Sequence, residues 1–120
     1  MSLAQRAQRT CAVTYLAALA LQFYAAGLGL FGATSFAPHA LLGYGLVIGA
    51  TTLTGLTLAA RLSRGTILLA AALIPLTMLQ PVLALVPRAS APALAALHTL
   101  NALAIFSLAA LVARRSRPAV

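Results

Sequence analysis

Two histidines, His39 and His98, and three carboxamides, Gln22, Gln80 and Asn101, are nearly all of the strongly polar side chains inside the long apolar stretches of this chain. Their spacing repeats. Leu21-Gln22 is followed 17 positions later by His39, and Leu79-Gln80 is followed 18 positions later by His98. Ala40-Leu41-Leu42-Gly43 comes after the first histidine and Thr99-Leu100-Asn101-Ala102 after the second. If each half is a helical hairpin, each carries Gln on its rising helix and His on its returning helix. Two imidazoles from different helices, facing one bundle interior, suit the two axial positions of a haem iron. Gly43 lies one turn from His39 on the same face, where a residue without a side chain leaves room for a flat macrocycle. Arg88 is placed to pair with a haem propionate at a wet rim. The plainer reading is that these groups hydrogen-bond across helices, each bond worth about 1–2 kcal/mol or less, with His39 in contact with lipid headgroups.

The chain narrows the chemistry further by what it lacks. It has no Asp and no Glu. No side-chain carboxylate is present to act as general acid or base, to bind Mg²⁺ or Ca²⁺, or to relay protons. A single cysteine, Cys11, excludes an intramolecular disulfide and a thiolate cluster, and reads as a plain apolar residue. No GxSxG, P-loop or HExxH pattern occurs. These features argue against an enzyme.

The elements that must hold the polar residues are apolar helices. Of 120 residues, 62% are hydrophobic and 7% charged, and the mean hydropathy is +1.03. A soluble domain is about 45–50% apolar and about 25% charged, so lipid is the expected solvent for most of this surface. Four apolar runs are expected to form helices over 10–32, 38–62, 66–86 and 92–112, each long enough to cross a bilayer. Pro38 and Pro92 suit first turns, and Pro75 and Pro81 should bend the third helix. All eight charged residues are arginines. Seven (Arg6, Arg9, Arg61, Arg64, Arg114, Arg115 and Arg117) flank one side of the runs and only Arg88 the other. The positive-inside rule therefore places both termini in the cytoplasm. Arginines confined to segments between apolar runs match lipid headgroups rather than nucleic acid. The lack of Lys beside abundant Ala, Leu and Arg hints at GC-rich coding and a bacterial inner membrane.

Short turns make successive helices antiparallel neighbours, so the expected fold is an all-α integral membrane four-helix bundle forming one domain over residues 1–120. Its two hairpins would be related by an axis along the membrane normal, as a parallel repeat. Gly45 with Gly49, and Ala25 with Gly29, have the small-xxx-small spacing that lets helices approach closely. Gln80 and Asn101 are expected in one polar layer with His98, with Gln22 somewhat deeper. His39 sits at the rim if the second helix starts at Pro38. It sits level with His98 if the helix starts earlier, as the repeat favours.

The segments Leu21-Gln22, Ala25-Ala26-Gly27-Leu28-Gly29, His39-Ala40-Leu41-Leu42-Gly43, Leu79-Gln80 and Leu97-His98-Thr99-Leu100-Asn101-Ala102 resemble a family of small four-helix bacterial membrane proteins of unassigned function. More distantly they resemble one four-helix half of haem A synthase and the wider group of bis-histidine membrane cytochromes b. The resemblance implies haem b held by His39 and His98. The acidic and basic neighbours that the synthase places beside its first histidine have no counterpart around His39. The expectation is therefore a haem b protein for electron transfer or haem handling, working with a redox partner. The alternatives are a cofactor-free subunit packed against a larger membrane complex, and a small transporter or channel. In a Cys11→Ser background, a cysteine at position 88 should be labelled only from outside the cell and one at position 117 only from the cytoplasm; the opposite pattern overturns the orientation.

Overall fold

The computed structural model describes residues 1–116, and these form four helices: α1 (Leu3–Leu30), α2 (Ala37–Ala59), α3 (Arg64–Ala84) and α4 (Pro92–Arg115). Arg117 lies outside the described residues. Each helix is long and apolar enough to cross a membrane, with mean hydropathies of 1.5 to 2.1 over the best 18 residues.

The helix ends depart from the sequence expectation, and local chemistry explains the departures. α1 begins seven residues before the apolar run because Ser2 and Gln5 form a capping box. The Ser2 hydroxyl accepts from the Gln5 N–H at 3.2 Å, and the Gln5 side chain accepts from the Ser2 N–H at 2.9 Å. Arg6 and Arg9 therefore ride on the helix. α2 starts at Ala37, one residue before Pro38, and stops at Ala59 rather than 62. The Arg61 backbone there takes a positive φ of 52°, and the Leu62 N–H turns back to the Thr57 carbonyl at 3.4 Å. This is the left-handed helix end usually given to glycine. α3 starts at Arg64, two residues early, because the Ser63 hydroxyl accepts from the Thr66 N–H at 3.3 Å. It runs through Pro75 and Pro81 as one helix and ends two residues early, at Ala84. α4 continues three residues further than expected, to Arg115.

Each helix packs on the two beside it, in the cyclic order α1, α2, α3, α4, so α1 faces α3 and α2 faces α4 across the diagonals. The core is a single stripe on each helix with alternating spacings of four and three. The stripe is Gln8, Ala12, Tyr15 and Leu19 on α1, and Thr66, Ala70, Leu73 and Thr77 on α3. Each α3 position follows its α1 counterpart by 58 residues. Leu46, Ala50, Leu53 and Thr57 on α2 are likewise followed 59 residues later by Ile105, Ala109 and Val112 on α4 and by Ser116 at its end. The hydroxyls of Thr57 and Ser116 even make the same bond, each donating to the carbonyl four residues back at 2.7 Å. The two hairpins thus bury equivalent positions throughout, in the heptad pattern of helices packed at shallow angles.

The one aromatic on this stripe crosses the bundle. Thr77 donates its hydroxyl hydrogen to the Leu73 carbonyl at 2.6 Å. A hydroxyl has one hydrogen, so the Tyr15 hydroxyl must donate to Thr77 Oγ1, at 3.2 Å. Gly49 makes room for the Tyr15 ring, since a methyl group there would stand 2.9 Å from it. Gly45 has nothing within 4 Å of that position. The expected Gly45–Gly49 pair is therefore not a shared packing face: Gly49 serves one ring and Gly45 faces outward. Gly29 similarly seats the Phe36 ring, 2.8 Å from an added methyl. Gly49→Ala should destabilise the bundle by about 1–3 kcal/mol through overpacking, while Gly45→Ala should leave it unchanged or more stable, as read by thermal unfolding in detergent.

Candidate functional site

At the end of the bundle away from the six described arginines of the helix termini, the core stripe turns polar. The positions that continue it beyond Leu19, Leu46, Thr77 and Ile105 are Gln22, Gly43, Gln80 and Ala102, and then His39 and His98. The histidine rings meet across the α2–α4 diagonal, with centroids 6.2 Å apart and planes 58° apart. Helix α2 starts just early enough to bring this about: Pro38 falls in the first turn and His39 follows it on the inward stripe.

Each ring is held the same way. His39 Nδ1 lies 3.1 Å from the Gln22 backbone carbonyl, and His98 Nδ1 lies 3.1 Å from the Gln80 carbonyl. A carbonyl only accepts, so Nδ1 carries the hydrogen in both rings. In the neutral ring this leaves the lone pair on Nε2, which makes no hydrogen bond among the described residues. That is the arrangement by which proteins fix the tautomer and orientation of a metal-binding imidazole.

Beneath the rings lies a cavity of about 250 Å³. Leu19, Leu46, Thr77 and Ile105 form its floor, all of them buried. Gln22, Gly43, Gln80 and Ala102 form its walls. From each histidine to its floor residue is seven positions, about 10 Å along a helix. No charged side chain lines the cavity.

The two glutamines differ. Gln80 Oε1 accepts from Asn101 Nδ2 at 2.9 Å, and the same amide donates to the Leu76 carbonyl at 2.8 Å. Gln80, Asn101 and His98 thus form one connected group. The position matching Asn101, 59 residues earlier, is Leu42. Gln22 consequently has no amide partner, and its Oε1 is buried without a hydrogen bond. The Gln22 amide instead fills the space beside Gly43, with Nε2 3.1 Å from where a methyl would stand. The room expected at Gly43 is therefore taken by Gln22. Arg88 is exposed in the turn after α3 and is not among the residues lining the cavity.

The 6.2 Å between the two ring centroids lies within the range of about 4.5–7 Å at which aromatic rings pack against one another. No cluster of three or more His, Cys, Asp or Glu occurs among the described residues.

The fold and the paired imidazoles define a class: a four-helix bundle of apolar helices with a two-histidine cavity near one end. The chain belongs to a family of unknown function (DUF6220), whose sequence pattern matches residues 22–89. That segment opens at Gln22 and contains His39, Gly43 and Gln80, but not His98 or Asn101. Neither the curated proteins nor the solved structures contain a match.

Because Asn101 is the only side chain bonded to Gln80 among the described residues, Asn101→Leu should destabilise the bundle by about 1–2 kcal/mol. Leu42→Asn, which copies the second half into the first, should gain stability by giving Gln22 a partner. Thermal unfolding of the two variants checks both signs, and equal losses would show that the amide groups do not pair as described.

Proposed function

We propose that this chain is a multi-pass protein of the bacterial inner membrane, with both termini cytoplasmic, that binds one haem b through His39 and His98 for electron transfer or haem handling. The observation that carries the proposal is the 6.2 Å separation of two imidazoles whose Nδ1 atoms are both engaged by backbone carbonyls. Bound haem supplies a single iron that passes between ferric and ferrous states and so carries one electron. The chain would hold the iron through His39 and His98, fix the tautomers of both rings, and keep charge and water away from the cavity. Exclusion of water follows from the apolar floor of Leu19, Leu46 and Ile105. The absence of any carboxylate removes the usual route for coupling the electron to a proton through the bilayer.

The arginines supply the orientation. Arg6, Arg9, Arg61, Arg64, Arg114 and Arg115 are exposed at the end opposite the histidines. Under the positive-inside rule the haem then lies toward the outer face. Arginines at that inner end match anionic headgroups, and a redox partner would meet the histidine end.

The wild-type protein purified with haem should show a low-spin Soret band that His39→Ala and His98→Ala each abolish. Both variants should still insert, because insertion depends on the apolar runs. A wild type that stays colourless when supplied with haem would sink the proposal and leave a cofactor-free structural subunit as the better reading.

A further inference from the structure

We infer that the ligand of the histidine pair reaches it sideways, from the lipid, through the gap between α2 and α3, and that the matching gap between α1 and α4 is kept shut by Phe23 and Phe106. The inference rests on the haem reading for the identity of the ligand, and on the cavity's walls for the route.

The route follows from how the two halves differ. One position past the core stripe, Phe23 on α1 and Phe106 on α4 face each other, their ring centroids 5.9 Å apart in an edge-on contact at 68°. The repeat fixes their counterparts. Pro81 follows Phe23 by 58 residues and Val47 precedes Phe106 by 59. These residues flank the α2–α3 gap, and neither has an aromatic ring to close it. The cavity extends into this gap, where Tyr44 and Val47 on α2 and Pro81, Ala84 and Leu85 on α3 line it. Tyr44 is 64% exposed and Leu85 83% exposed, both on the outer surface of the bundle.

Two other directions are obstructed. The floor of Leu19, Leu46, Thr77 and Ile105 blocks the way from the arginine end. Toward the histidine end, the Phe36 ring is seated over Gly29 and packs edge-on against His39, with centroids 6.4 Å apart. The opening between α2 and α3 is bordered by apolar side chains and the rim of one tyrosine, with no charge among the described residues that line it. A hydrated ion gains nothing there, whereas a flat molecule dissolved among acyl chains does. The ligand class is therefore a planar amphiphile that partitions into the bilayer.

The test copies the closed side onto the open one. Val47→Phe with Pro81→Phe places two rings where Phe23 and Phe106 meet in the other half. Haem b dissolved in liposomes should load this double variant at least tenfold more slowly than wild type, with the same final low-spin band. Equal rates for wild type and the double variant would overturn the route. A second measurement needs no haem. In a Cys11→Ser background, Ala102→Cys places a thiol on the cavity wall, to be labelled by an alkyl methanethiosulfonate dissolved in the bilayer. Closing the α2–α3 gap should slow that labelling at least tenfold, and unchanged labelling would refute the inference. Gated labelling in a protein that never binds haem would uphold the route and remove the haem reading.

Discussion

The hydrogen bond from each imidazole Nδ1 to a backbone carbonyl of the neighbouring helix is the interaction on which the site depends. A chain without a carboxylate has few ways to orient a histidine in an apolar interior. An unsatisfied polar group there costs several kcal/mol, so a ring N–H must take whichever acceptor the adjacent helix offers. The carbonyls of Gln22 and Gln80 have a second lone pair to give. Using it fixes both tautomers and holds the two rings 6.2 Å apart across the α2–α4 diagonal. The two bonds have the same length, 3.1 Å, because the two hairpins are built alike. What the helices bury, in steps of four and three, serves to bring those two pairs to the same level.

The repeat also explains what is unequal. Symmetry places equivalent residues, and each departure from it has a visible physical result. Asn101 has Leu42 as its counterpart, so one glutamine is bonded and the other is orphaned. Phe23 and Phe106 have Pro81 and Val47 as counterparts, so one gap is filled and the other is open. Leu19 has Thr77 as its counterpart, and that hydroxyl receives the Tyr15 phenol across the other diagonal. The lower core has its own asymmetries: Gln8 has Thr66 as its counterpart and Tyr15 has Leu73, and Gln8 Oε1, like that of Gln22, is buried without a hydrogen bond.

Much of this was legible in the sequence. Four apolar runs and the grouping of arginines define the helices, because a run of twenty apolar residues has few alternatives. The pairing of Gln with His at offsets of 17 and 18 marked the residues that meet. The helix ends were less legible, because caps at Ser2 and Ser63 and a left-handed turn at Arg61 act through single hydrogen bonds that hydropathy does not register. The surroundings of Gly43 and Arg88 were less legible for a related reason. Spacing shows that a glycine faces the interior but not which neighbour fills its notch, and charge shows that an arginine is at the rim but not where its side chain lies. Tyr15 went unread as a core residue, although its spacing with Gln8, Ala12 and Leu19 continues the stripe; a heptad count across α1 would have found it.

The orphaned amide of Gln22 connects the fold to the ligand question. A buried carbonyl oxygen without a partner is retained at a cost of about 1–3 kcal/mol, and the same sequence contains, at Asn101, the solution it does not use at Leu42. An asparagine at 42 would tie Gln22 in place, as Gln80 is tied, and hold its amide against the cavity wall beside Gly43. With leucine there, the amide is free to leave the space it occupies when something larger enters. The tied glutamine keeps the second hairpin fixed as a wall, and the free one gives the first hairpin room to yield. A cavity of about 250 Å³ is small for a macrocycle, and Gln22 is the side chain whose withdrawal would enlarge it without breaking a hydrogen bond.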